Sequence, residues 1–481
     1  VFYMMHAGLS AKEKAAVGMR SIEDYKLLTQ STVRSVPGVD DHEEFTHMRA
    51  AFQSAFRIPA KEESELYQLM VGVLSLGNLE FDSTHSDRSV ISDASRIDLD
   101  AVSTAFGIDV DALNHALCYI ELVDHEGNVI MRELPPEKAL GSALSCAKMV
   151  YERVFKWMVT HINGVMNATS QSLFGNVVIE DTSYIGILDI FGFEVFEINS
   201  FEQLCINFAN EKLQAFYVRH VFDLERVLYE KEGIDFDDFT YTDNKKIMQL
   251  LEKPRKPPGI FCMLDEAVLF PKSTDVSLFN SIVKQHKKHP HFGTIKSVGK
   301  KAGQSRDSIT AARARAQLSF TVSHSATDVA YYIDGFLEKN KDRLPPNLDR
   351  LIENSAIPLL AKVCQVAAKS KKAKKTGSFA GTTLGAKFVG DIARLMKSLE
   401  ATNPHFVRCI KPNNCKSPLP ISPTLVHHQL CYLGVLNAIK LRHSGFSFRQ
   451  EYDLFYERFI IVCAGVLPWP PPRGSNATDL V

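Results

Sequence analysis

The chain has 481 residues, with 55 Lys and Arg against 56 Asp and Glu and a formal net charge of -1. One hydrophobic core stops growing near about 250–300 residues, so two to four subdomains are expected, and any basic patch has to be local. Nine scattered cysteines without a Cys-x-x-Cys pair argue for reduced thiols and against a disulfide frame or a zinc ribbon; there is also no run of 18 or more apolar residues and no signal peptide.

The first ~130 residues read as short helices. Leu66, Leu69, Met70, Val73 and Leu74 share one face in "EESELYQLMVGVLSLGNLEF" (62–81). A long helix then starts at Pro135-Pro136. Its apolar positions recur every three or four residues, from Leu140 through Val150, Val154 and Met158 to Ile162, and Gly164 is expected to stop it. The Ile-rich run "YIGILDI" (184–190) suits a strand buried on both faces. A second long helix begins at Asn199-Ser200, where Ser200 and Gln203 form a capping box, and runs toward Gly233. Farther on, "QLSFTVSHSATDVAYYI" reads as a hairpin and "LPPNLDRLIENS" as a short helix opened by Pro. "FVGDIARLMKSLE" reads as a helix, "HFVRCI" as a strand, and "LVHHQLCYLGVLNAIKLRHSG" as a helix broken at Gly434 and ended by Gly445.

The chemistry concentrates in "IGILDIFGFE" (185–194). A buried strand ending in Asp189 aims a carboxylate at the shell around Mg²⁺, as in a nucleoside-triphosphatase site. Gly192 allows a backbone N–H to approach a γ-phosphate closely, and Glu194 supplies a second acid. An apolar strand ending in Asp is by itself a common core pattern; the complete "DIFGFE" is more specific. No G-x-x-x-x-G-K-[ST] loop accompanies it. The only Gly-Lys pair, Gly299-Lys300, has the wrong spacing, and Lys301 stands where Ser or Thr is needed.

Lys369, Lys371, Lys372, Lys374, Lys375 and Lys387 lie in an acid-free loop (368–387). Composition alone favours a solvated loop. The functional alternative is salt-sensitive capture of an acidic surface, and nucleic acid is disfavoured because no aromatics interleave the lysines. His286, His289 and His291 in "HKKHPHF" read as a solvated polar turn, with no Cys or acid nearby to complete a metal ligand set. Phe193, Phe196, Phe201 and Phe208 read as core packing.

"LDIFGFE" followed by "NSFEQLCINFANEKLQAFY" resembles switch II and the relay helix of a myosin motor. "AKMVYERVFKWMVTHIN" (147–163), "CMLDEAVLFPKSTD" (262–275), "GFLEKNKDRLPPNL" (335–348) and "NPHFVRCIKPN" (403–413) are equally typical and occur in the family's order. The resemblance implies an α/β fold, a P-loop NTPase-like motor core with a partial central mixed sheet flanked by long helices. It implies an ATPase that moves on actin filaments, with ATP and Mg²⁺ as cofactors. In the family, Asp189 lies near the Mg²⁺ shell through water, the Gly192 amide contacts the γ-phosphate, and Glu194 pairs with an arginine of switch I to position the attacking water. Closing this loop tilts the relay helix.

The resemblance also divides the chain. Residues 1–183 correspond to the rest of the upper fifty-kilodalton region. Residues 184–367 hold switch II, the relay helix and the lower actin-binding region, with its helix-loop-helix at Phe261–Phe292. Residues 368–387 match actin-facing loop 2, which makes actin the favoured partner of the lysines. Residues 388–445 hold a sheet strand and the thiol helices, and 446–481 the start of a converter. Both ends read as cut, since the chain opens on Val1 within "VFYMMHAG" and closes on a Pro-rich tail. The P-loop, switch I and a neck for light chains or calmodulin are therefore expected outside it, so this segment alone is expected to be inactive. Cytoplasm, cytoskeleton and a myosin complex are the implied location, without membrane or nucleic acid. Tyr432 and Arg442 occupy the family's two reactive-thiol positions, with Cys431 adjacent. Asn128 falls at the site often acidic or phosphorylatable in the actin-facing cardiomyopathy loop, and "SHSATD" replaces the usual "HYAG" turn. The alternative from another class is a non-catalytic actin-binding or tethering protein.

Overall fold

The computed structural model describes residues 1–83, 88–123, 128–174, 185–220, 224–231, 244–254, 256–270, 272–294, 318–341, 344–364, 383–415, 417–433, 435–436, 439 and 452–459. In chain order, its principal helices are α1 (Ala60–Leu76), α2 (Pro136–Phe174), α3 (Phe201–Val218), α4 (Ile260–Leu269), α5 (Asp275–His286), α6 (Pro346–Glu353) and α7 (Leu384–Glu400). The strands form three antiparallel sheets: β1 (Phe81–Ser83) with β2 (Ser89–Ile91), β3 (Tyr119–Val123) with β4 (Val129–Glu133), and β5 (Phe292–Thr294), β6 (Ser319–Ser323) and β7 (Asp328–Tyr332) in that order. The chain divides into two compact units, Val1–Asp189 with Lys341–Leu384, and Ile190–Asn340 with Gly385–Val481.

The first unit is built around α1. Leu66, Leu69, Val73 and Leu74 on the expected face are buried, as are Val71 and Leu76, so the helix is covered nearly all round. Gly72 admits the Phe106 ring, because a Cβ there would sit 2.5 Å from Phe106 Cε1. Two buried acids on α1 are satisfied: Glu63 by Tyr67 Oη at 2.9 Å and Arg49 Nε at 2.7 Å, and Glu65 by the Leu359 N–H at 2.9 Å. α2 starts at Pro136 as the sequence predicts and buries Ala143, Cys146, Val150 and Trp157. On the same helix, buried Arg153 bonds Asp349 at 2.5 Å and the Cys364 Sγ at 3.0 Å. Cys118, Cys146, Cys205, Cys262, Cys364, Cys409 and Cys415 are free, and burial pushes the Cys146 thiol up to about 12, leaving it protonated and inert at neutral pH.

Several expectations are corrected. α2 runs on to Phe174, because Gly164 does not take the left-handed conformation of a glycine stop. The first ~130 residues also contain two hairpins, β1–β2 and β3–β4. Residues 185–190 form no strand: Ile185 is 96% and Ile187 93% exposed. A strand buried on both faces needs neighbours to pair with, and among the described residues none pairs with this run. "HFVRCI" is likewise unpaired. Its Phe406 packs instead on Tyr217 at 4.9 Å, and Arg408 lies 4.4 Å over the same ring.

In the second unit α3, α4, α5 and the β5–β6–β7 sheet share one hydrophobic core. Phe208 meets Phe261 at 5.1 Å and Phe201 meets Phe336 at 5.9 Å, both edge-to-face. Ser200 and Gln203 form the predicted capping box at the start of α3. α3 continues into a π-helical turn at 219–220, and Leu224–Lys231 is helical again; residues 221–223 lie outside the described residues. The "SFTVS" and "DVAYY" hairpin forms in register Ser319↔Tyr332 through Ser323↔Asp328. α6, in the first unit, has Pro at its start, and α7 covers the "FVGDIARLMKSLE" segment. Residues 423–432 are helical, whereas Gly434 and Gly445 lie outside the described residues. Among the described residues no helix is long and apolar enough to cross a membrane.

Candidate functional site

The loop 190–199 enters α3 through an amide clamp. Asn207, one turn past Gln203 on the buried face of α3, accepts the Glu194 N–H on Oδ1 at 2.8 Å. The same amide donates from Nδ2 to the Glu194 carbonyl at 2.8 Å. Gln203 Nε2 lies 3.4 Å from the Glu194 carboxylate, and Asn210 Nδ2 donates to the Phe191 carbonyl at 3.0 Å. Asn199 closes the loop onto itself by accepting the Phe196 N–H at 2.7 Å and forms a parallel bridge to Tyr331. Loop displacement is thereby tied to the helix by hydrogen bonds rather than by apolar contact alone.

Asn207 is fully buried and shares the interior with a polar chain running to the hairpin. Its Nδ2 also donates to Tyr331 Oη at 2.9 Å, and Tyr331 Oη lies 2.8 Å from His324 Nε2. His324 Nδ1 lies 3.1 Å from Glu211 Oε1. Glu211, one turn along α3 from Asn207, also accepts the Ser325 N–H and hydroxyl, both at 2.7 Å, and Asn244 Nδ2 at 2.5 Å. Burial alone pushes a carboxyl up, but His324, Asn244 and Ser325 as donors hold Glu211 below the ordinary carboxylate value. The "SHSATD" turn closes with His324 N–H to Thr327 O at 3.1 Å, and Ser325 faces Glu211.

The sequence-predicted site residues are distributed as follows. Asp189 lies within the exposed run 185–192, and Gly192 in the same run has nothing within 4 Å of a Cβ built on it. Glu194 is half-buried in the Asn207 clamp. The open space at Gly192 fits close approach of a phosphate. Asp189 as an exposed carboxylate fits an outer partner of Mg²⁺, which keeps several waters. Among the described residues no group of three or more His, Cys, Asp or Glu could hold a metal directly. Lys369, Lys371, Lys372, Lys374 and Lys375 lie outside the described residues. α4 and α5 form the expected helix-loop-helix, with Leu269, Phe270 and Val276 exposed at its tip. Asp275 fixes its second helix by accepting the Gly335 and Leu337 N–H groups at 2.7 and 3.0 Å.

The histidine turn is not solvated as expected. His286 is buried and bonds the Pro258 carbonyl at 2.9 Å, and His291 bonds the Ser323 carbonyl at 3.0 Å. Packing of α5 against the sheet draws both inward. Of the four phenylalanines, Phe201 and Phe208 are core, Phe193 is half-buried and Phe196 is exposed. The clamp and the polar chain escaped sequence reading. The available signal was Asn207 and Glu211, one turn apart, interrupting the apolar face of α3.

A family model, "Myosin head (motor domain)", matches residues 1–475. The chain is 33% identical to Myosin IE heavy chain of Dictyostelium discoideum, over all of this chain and 46% of that protein. It is 33% identical to Unconventional myosin heavy chain 6 of Caenorhabditis elegans, over 97% of this chain and 21% of that protein. It is 34% identical to Myosin-16 of Arabidopsis thaliana, over 92% of this chain and 33% of that protein. The chain thus spans less than half the length of these relatives. With a motor-domain match over residues 1–475, the chain belongs to the myosin head family.

Proposed function

We propose that the chain is the switch II, relay and lower actin-binding part of an ATP-driven, actin-based motor. The observation that carries this reading is the Asn207 clamp, which couples the Glu194 backbone to α3. A loop that responds to phosphate and is bonded to a rigid helix converts local chemistry into helix movement.

Asp189 would hold Mg²⁺ through water, the Gly192 N–H would donate to the γ-phosphate, and Glu194 would orient the attacking water together with an arginine supplied by switch I. ATP with Mg²⁺ supplies the phosphoanhydride whose cleavage drives the cycle. Residues 1–183 act as the upper region, 184–367 as the lower region, 368–387 as loop 2, 388–445 as the sheet-and-thiol segment and 446–481 as the converter start.

The partner is the actin filament, met by the apolar tip of α4–α5 and by Lys369, Lys371, Lys372, Lys374 and Lys375. Light chains or calmodulin belong to the neck of the complete heavy chain, and the location is the cytoplasm and its cytoskeleton. Actin-activated ATPase of a heavy chain carrying this segment tests the reading. Gly192→Ala abolishes hydrolysis there, and unchanged hydrolysis rejects the switch assignment.

A further inference from the structure

We propose that Tyr331 and His324, on the β6–β7 hairpin, are positioning residues that hold the Asn207 amide in the one orientation able to receive Glu194. This rests on reading 189–194 as the nucleotide-responsive loop.

The direction of each hydrogen bond follows from the fixed end. A carboxylate accepts only, and Glu211 already takes Ser325 N–H, Ser325 Oγ and Asn244 Nδ2. His324 Nδ1 therefore carries the proton toward Glu211, which leaves Nε2 as an acceptor. Nε2 takes the Tyr331 hydroxyl proton. Tyr331 then offers Asn207 only a lone pair, so the NH₂ end of the amide has to face it. That orientation presents Oδ1 to the Glu194 N–H and the second Nδ2 hydrogen to the Glu194 carbonyl. When the loop leaves, Tyr331 still holds the amide, and the clamp is preorganised for its return.

Hydrogen exchange of this chain, followed by mass spectrometry with neither nucleotide nor actin, tests the proposal. Tyr331→Phe removes only the hydroxyl. It lowers protection of the peptide containing Glu194 by up to about tenfold, the scale of one hydrogen bond, while peptides over β6 and β7 keep wild-type protection. His324→Phe lowers it likewise, as a second variant should the first perturb the sheet. Wild-type protection in both variants overturns the proposal. Because this readout involves no ATP, failure of the motor reading appears separately, as missing actin-activated ATPase.

Discussion

Asn207 holds Glu194 by both halves of one peptide-like pairing: Oδ1 accepts the Glu194 N–H and Nδ2 donates to its carbonyl, each at 2.8 Å. Changing the donor end alone isolates its worth. Asn207→Asp turns Nδ2 into an oxygen facing the Glu194 carbonyl and Tyr331 Oη. Leaving buried polar groups unsatisfied costs about 1–3 kcal/mol each. The urea midpoint of the variant is expected to fall accordingly, and an unchanged midpoint counts against the clamp.

Acid sensitivity has a stated sign. Arg49, then Ser10, holds the Glu13 carboxyl down from 4.5 to about 2. A depressed carboxylate contributes stability above its unfolded value, and that contribution is lost as pH falls through the folded value. The melting temperature is therefore expected to drop between pH 4.5 and about 2, with a shallower slope in Glu13→Gln. The difference is modest, because the pair is largely solvated. Identical slopes contradict the assignment.

Gly72→Ala places a methyl 2.5 Å from Phe106 Cε1 and 2.9 Å from Ala105 Cβ. Overpacking costs about 1–3 kcal/mol, against about 1 kcal/mol gained in helix propensity. Chemical denaturation is expected to show net destabilisation; a more stable variant contradicts the close packing of α1 on Phe106.

Arg57, two residues past the π-helical turn Ala51–Ala55, has a positive φ of 52°. Its side chain is exposed, so the left-handed backbone is the dominant constraint. Such a conformation costs a non-Gly residue about 1 kcal/mol or more. Arg57→Gly is expected to leave the denaturation midpoint unchanged or raised, and a lowered midpoint argues against this backbone conformation.

The legible features were those fixed locally. Ser200 and Gln203 marked the start of α3, Pro136 the start of α2, and "QLSFTVSHSATDVAYYI" the β6–β7 hairpin, because caps and tight turns depend on neighbours a few residues away. Ile185 and Ile187 misled because an apolar run says only that a strand could be buried; burial depends on partners distant in sequence. Gly164 misled because glycine ends a helix only where the chain turns left-handed. Glu211, His324 and Tyr331 were unreadable as a unit, since more than 110 positions separate the helix from the hairpin (|i−j| is 113 for Glu211 and His324).

The most direct test of the motor assignment is co-sedimentation of a heavy chain carrying this segment with actin filaments, with and without Mg-ATP. Gly192, open on all sides, should tolerate Ala without loss of folding. The account predicts that ATP releases the wild-type protein from actin and fails to release Gly192→Ala. Wild-type binding that ATP does not weaken would contradict it and leave a passive actin tether in its place.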